Sequence, residues 1–167
     1  MAQASADRLM DMCRTHAETI AELWYKAFST NAKTKSSNLM SKEGAMRHAI
    51  TFYKQLKEMY FAEDCFKAVE QVMDIDGFVE DFFIRGVPIE ELLYAIVMLR
   101  RHIWTFADEQ ALYNPDIVDM YSALDSINRV ILIFDYASYI VARKYREFAG
   151  KTRPIQHHIN PFFPNLP

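Results

Sequence analysis

The residues through which this chain could do chemistry are few: 5 histidines, 2 cysteines and scattered acids and arginines. His102 stands in the run Leu99-Arg-Arg-His-Ile-Trp104, beside an apolar seam. One reading makes it an axial haem ligand in a globin-like pocket, where a neutral imidazole holds iron. The favoured reading makes it a boundary histidine bonded to a neighbour. Asp135 interrupts the most apolar stretch of the chain, Val130-Ile-Leu-Ile-Phe134. A buried carboxylate must be paired or neutralised. Arg100, Arg101 and His102 are its candidate partners, and with Asp135 they form the candidate ligand-binding set. The favoured reading is a helix face that simply reaches solvent at Asp135.

Other groups carry weaker signals. His16 lies on an apolar stripe and reads as a satisfied core histidine. His16, His48 and His102 fall on separate helices, one on each, which does not suit a haemerythrin-like site. Asp74 and Asp76, two apart, point to different faces and mark a turn rather than a shared carboxylate site. Cys13 and Cys65 form no CxxC pattern and read as reduced, partly buried residues. There is no GxSxG, Walker A, GxGxxG, HExxH or EF-hand loop, and no ExxH of the di-iron kind. The expectation is a non-catalytic protein with no metal and no cofactor.

The elements that must position these residues are helices. The chain has 167 residues, 51% of them hydrophobic, with only 4 Gly and 6 Pro. Few breakers and many Leu, Met, Ala, Glu and Lys favour long helices over strands. A first helix is expected from Ala6 to Phe28 on the seam Leu9, Cys13, His16, Ile20, Leu23 and Ala27. Residues 29–41 read as a loop, with Ser41 capping a second helix over Lys42–Phe61. Glu63 and Asp64 open a third, which Asp74-Ile-Asp-Gly77 splits before a short helix to Ile84 and a C′ residue at Gly86. Pro88 restarts the chain for a helix to Ala107.

Asn114-Pro115 opens the last and longest helix, on the seam Ile117, Met120, Leu124, Ile127, Ile131, Phe134, Ser138, Val141, Tyr145 and Phe148, ending at Gly150. Residues 1–150 thus form an all-α domain of five or six helices, globin-like or a bundle. Residues 151–167 form an irregular tail with Pro154, Pro161, Pro164 and Pro167.

Net charge of −3 gives no basic footprint for nucleic acid. MAQASADRLM lacks the apolar core of a signal peptide. The most apolar run is too short to span a bilayer. Cytoplasmic location without membrane insertion follows as an expectation. The unbroken last seam also suggests a homodimer, with Tyr139 and Ile140 as outward interface residues.

The stretch Val79–Ala107 (VEDFFIRGVPIEELLYAIVMLRRHIWTFA) has an acidic-aromatic lead, a Gly-Val-Pro restart and a Leu-Arg-Arg-x-Ile-Trp end. It resembles the N-terminal domain of RsbRD-type proteins, the RsbT co-antagonists that serve as sensory subunits of bacterial stressosomes. Ile20-Ala-Glu-Leu-Trp24 is similar to that family's first helix, and the long terminal helix fits it too. The resemblance implies a helical domain like a globin without haem, at the input end of a signal-transduction protein in the stress response, commonly dimeric and acting on a protein partner. It brings no catalytic residues. Such domains usually precede an output domain, and a copy without one would have to dock on a separate partner. The alternative function is a haem-binding, globin-like gas or redox sensor.

Overall fold

The computed structural model describes residues 2–110 and 120–152. Among these the chain is helical and has no strand, as the sequence leads one to expect. In chain order the helices are α1 (Ala2–Thr15), α2 (Ala17–Thr30), α3 (Lys42–Phe61), α4 (Cys65–Asp76), α5 (Phe78–Ile84), α6 (Ile89–Glu109) and α7 (Met120–Thr152). A 3-10 turn, Lys35–Leu39, stands between α2 and α3, where a plain loop was expected. A helix start at Asn114-Pro115 and the Pro-rich tail both lie outside the described residues.

Local chemistry sets most boundaries. The Ser41 hydroxyl accepts from the Gly44 N–H at 3.1 Å, and the Asp64 carboxylate accepts from the Lys67 N–H at 3.0 Å, so α3 and α4 begin on side-chain caps. Gly77 closes α4 at φ 65°, a left-handed conformation that favours glycine, and α5 starts at the next residue. The expected first helix is two. At His16 the backbone turns to φ −108°, ψ 21°, yet His16 N–H still donates to Met12 O and Ile20 N–H to His16 O, each at 2.9 Å. The element is therefore bent, with both halves keeping an apolar side on the core: Leu9, Met10 and Cys13 on α1, and Ile20, Trp24 and Phe28 on α2. At the other end, α7 continues past Gly150 to Thr152.

The buried residues form one cluster drawn from every α-helix. Two polar atoms inside it find backbone acceptors on α6: Trp24 Nε1–H donates to Ala95 O at 3.0 Å, and Tyr53 O–H to Leu99 O at 2.9 Å. Burying either ring without such a partner would cost about 1–3 kcal/mol. From α7, Arg129 donates through Nε to Tyr60 O and through Nη2 to Ala62 O at 2.9 Å, closing the open carbonyl end of α3. On the surface, Lys57 meets Asp7 and Asp11 at 3.1 and 2.8 Å, Lys54 meets Glu18 at 2.6 Å, and Lys42 meets Glu22 at 2.7 Å. As the acids advance along α1 and α2 the lysines retreat along α3, which is an antiparallel register. Each exposed pair contributes little to stability; the order of the pairs resists slippage.

The face that α7 buries meets the expected seam at Phe134, Val141 and Tyr145 and departs from it elsewhere. Val130, Ile133, Phe134, Ala137, Ile140, Val141 and Tyr145 face the core, while Leu124 is exposed and Ser138 only half-buried. The middle of this helix is apolar on nearly all sides, so two overlapping stripes satisfy the same spacing. The neighbouring helices bury a face that draws on both, centred between them. Ile140, expected outward at a dimer interface, is fully buried; it belongs to the 130, 133, 137, 140 row. Tyr139, its neighbour, is 58% exposed.

Candidate functional site

The residues singled out from sequence divide between two places on α6 and α7. Arg100 Nη1 lies 3.6 Å from Asp135 Oδ1, and the Asp135 side chain is 62% exposed. Asp135 sits one position beyond the buried Phe134, about 100° round the helix, and so emerges into solvent. The helix face thus reaches solvent at Asp135, as the favoured reading had it, and the carboxylate is half of a surface ion pair with Arg100 rather than of a buried one. His102 turns back on its own helix: Nδ1 lies 2.7 Å from Met98 O. A carbonyl oxygen only accepts, so Nδ1 carries the proton there. Arg101 is exposed. The structure joins Arg100 to Asp135 and gives His102 a separate partner.

A more concentrated group of charges lies at the corner of α3, α4 and α5. His48, on α3, has no exposed surface. Its Nδ1 contacts Asp76 Oδ2, and its Nε2 lies 2.9 Å from Asp81 Oδ2. Arg47 reaches Asp76 Oδ1 at 3.0 Å and Asp81 Oδ2 at 3.9 Å, and its Nη2 is 3.2 Å from His48 Nε2. Arg85 Nε donates to Asp81 Oδ1 at 2.8 Å. Phe78 and Phe82 stand against the imidazole at ring-centre distances of 5.4 and 5.8 Å. Asp76 is the last residue of α4 and Asp81 lies within α5, so one ring from α3 grips both sides of Gly77.

The electrostatics are close to balanced, with two carboxylates facing two guanidinium groups and the imidazole. Burial pushes the Asp81 carboxyl up, but hydrogen bonds from His48 and Arg85 outweigh it and hold this acid below its usual range. A histidine against a carboxylate is also the geometry of a general base. Here the ring is sealed beneath Phe78 and Phe82 and meets no solvent, so no substrate proton reaches it. The group ties α3 to the end of α4 and to α5.

Sequence reasoning passed over this cluster. His48 carries no local motif, and its acids stand 28 and 33 residues away. Asp74 and Asp76 do diverge as their spacing requires: Asp74 pairs with Lys144 of α7 at 2.5 Å, and Asp76 turns to His48. His16 is half-buried, its ring tilted on Phe106 at 5.2 Å. Cys13 is buried and its thiol is pushed up to about 12 by that burial; burial also raises Cys65. Neither offers a thiolate at neutral pH.

A third feature is the outer face of α7. Leu124, Leu132 and Tyr139 are 48%, 39% and 58% exposed. Their spacings of eight and seven residues keep them within an arc of about 80° on one side of the helix. Asp135 and its partner Arg100 lie along this face. No model of a known protein family, no curated protein and no solved structure matches this chain.

Proposed function

We propose that this chain is a non-catalytic regulatory module, of the kind found at the input end of RsbRD-type stress-signalling proteins, that acts by binding partners and pairs with a second copy through α7. The observation that carries this reading is the outward apolar stripe of Leu124, Leu132 and Tyr139 on a helix whose opposite side is already committed to the core. A helix that offers apolar side chains on both sides has more to cover than its own domain covers. The charge cluster around the buried His48 supports the reading in a second way. The imidazole of His48 is sealed from any substrate, while it ties three helices into a rigid corner. Rigid helices with an uncovered apolar side suit signalling through contact. Within this reading the fold is globin-like and the protein works in the cytoplasm; no described helix is long and apolar enough to cross a membrane.

The test is the oligomeric state. Sedimentation at tens of micromolar should give a dimer, and Leu132→Glu with Tyr139→Glu should give a folded monomer. A monomeric parent protein sinks the proposal. The alternative is a haem-binding globin-like gas or redox sensor with His102 as axial ligand. One observation favours it: an Nδ1–H held by the Met98 carbonyl leaves Nε2 as the basic nitrogen, the arrangement seen in metal-bound histidines. Protein from haem-replete cells separates the two. The partner-binding reading expects no Soret band, whereas a near-stoichiometric band lost in His102→Ala establishes the other.

A further inference from the structure

One nitrogen in the α3–α4–α5 corner has two claimants. His48 Nε2 lies 2.9 Å from Asp81 Oδ2 and 3.2 Å from Arg47 Nη2. An ionised carboxylate only accepts a hydrogen bond, and a guanidinium only donates. A ring nitrogen offers either a proton or a lone pair, so it satisfies Asp81 or Arg47 and never both at once. Nδ1 has no such conflict. It contacts Asp76 Oδ2, an acceptor, and carries a proton whether the ring is charged or neutral. The proton on Nε2 therefore decides which contact the ring makes.

We propose that His48 is a proton-operated latch between α3 and α5. With both nitrogens protonated, the ring donates to Asp76 and to Asp81 and holds α5 to α3. With Nε2 bare, it still donates to Asp76, accepts from Arg47 and lets go of Asp81. Arg47 Nη2, 3.9 Å from Asp81 Oδ2, then turns to the ring. α4 stays tied in both states, because Asp76 keeps the Nδ1 proton and Arg47 Nη1 at 3.0 Å. Asp81 keeps Arg85 at 2.8 Å, but Arg85 stands one residue beyond α5, so that pair ties α5 to its own end and not to α3.

The surroundings suit two states. Asp76 of α4 and Asp81 of α5 face Arg47 of α3 and Arg85, and these charges sum to zero. The ring's proton adds one charge, and its loss strands no buried ion. Asp74 of α4 is taken up by Lys144 of α7 at 2.5 Å. From α2, the ring of Phe28 meets this pocket 6.2 Å from Phe82. Histidine is the side chain whose ordinary charge change falls near neutral pH. A substrate cannot reach the ring, but a proton needs only a brief parting of Arg47, whose side chain is 54% exposed, from Asp81. On its other side α5 meets α7, with Phe83 against Tyr145 at 5.3 Å and Phe148 at 5.1 Å. Opening the latch leaves α5 held by α7 and by the apolar contacts of Phe78 and Phe82. The inference goes beyond contact signalling through α7 and stands without it.

The test follows the full chain from about pH 5 to about pH 9, the range that spans an ordinary histidine's charge change. Nitrogen-15 shifts of the His48 ring report the proton on each nitrogen, and amide exchange reports each helix. The latch predicts a neutral ring with its proton on Nδ1. Once Nε2 is bare, the amides of Phe82 to Arg85 should exchange about tenfold faster after correction for base catalysis, as for loss of one hydrogen bond to a charged group. The amides of Val72 and Met73 in α4 should keep their protection. Asp81→Asn keeps the ring but offers an oxygen to a protonated nitrogen and an amide N–H to a bare one, so its α5 amides should show no such step. His48→Asn, which cannot change charge, should show none either. A neutral ring with its proton on Nε2, ring nitrogens unchanged across the range, α5 exchange that stays flat while Nε2 loses its proton, or an equal step in Asp81→Asn each overturn the proposal.

Discussion

Replacing His48 with leucine tests the account of the α3–α4–α5 corner most directly. The substitution keeps an apolar volume against Phe78 and Phe82 but removes both ring nitrogens. Asp76, whose side chain is only 8% exposed, then faces the core without its imidazole. Removing one partner of a buried ion pair typically costs about 3–5 kcal/mol, because the remaining charge is left uncompensated. Two observations reduce that figure here. Arg47 stays 3.0 Å from Asp76 and Arg85 stays 2.8 Å from Asp81, and both arginines are substantially exposed. A loss somewhat below that range, about 2–3 kcal/mol, is therefore expected. For a chain of this size that is a fall in Tm of about 4–12 °C. Thermal unfolding followed by helical ellipticity measures it, with a urea titration to confirm an unchanged m-value. Adding Asp76→Asn to His48→Leu removes the stranded charge and should recover part of the loss. The reasoning is refuted if His48→Leu melts within about 2 °C of the parent, or if Asp76→Asn makes the leucine variant worse.

Two further outcomes follow from the same geometry. Asp81 is held below its ordinary value of 3.8, so its contribution to stability is fully present above that value and is lost as pH falls through the lowered one; Asp81→Asn should therefore be less stable at neutral pH and lose less stability on acidification below about pH 4, which stability curves at several pH values would show, and equal acid slopes would contradict it. Arg129→Met, which leaves the Tyr60 and Ala62 carbonyls without their cation, should lower stability by about 1.5–3 kcal/mol, with the first hydrogen-exchange losses in the last turn of α3; protection unchanged in that turn would tell against the capping role.

What the sequence made legible was local. Ser41 before Lys42, the Asp74–Gly77 stop and Gly86 each act within a few residues, and each boundary stands where its chemistry puts it. The rotation of α7 was not legible, since a helix apolar on most sides fits several seams and only its neighbours choose among them. That is why Ile140 turned inward while Tyr139 stayed out. The bend at His16 has no breaker residue to announce it. The His48 cluster was hidden for another reason: its members are ordinary in their own surroundings and meet only when α4 and α5 fold back on α3. Asp135 was legible as an exposed acid: inside an apolar run it looks buried in one dimension, but about 100° of rotation brings it to solvent.

The hydrogen bonds that Arg129 makes to Tyr60 and Ala62 carry a consequence for synthesis on the ribosome. Chain growth is vectorial, and α3 leaves the exit tunnel long before residue 129 exists. Until then the last carbonyls of α3 depend on water, and the core faces of α1, α4 and α6 lack the helix that packs against all of them. The nascent chain can form α1 to α3 as a bent hairpin laced by its lysine–acid pairs, but it cannot close. A pause after α6 therefore presents a half-built bundle with a fraying α3 end to chaperones and proteases, and release of α7 completes the cap and the core in one event.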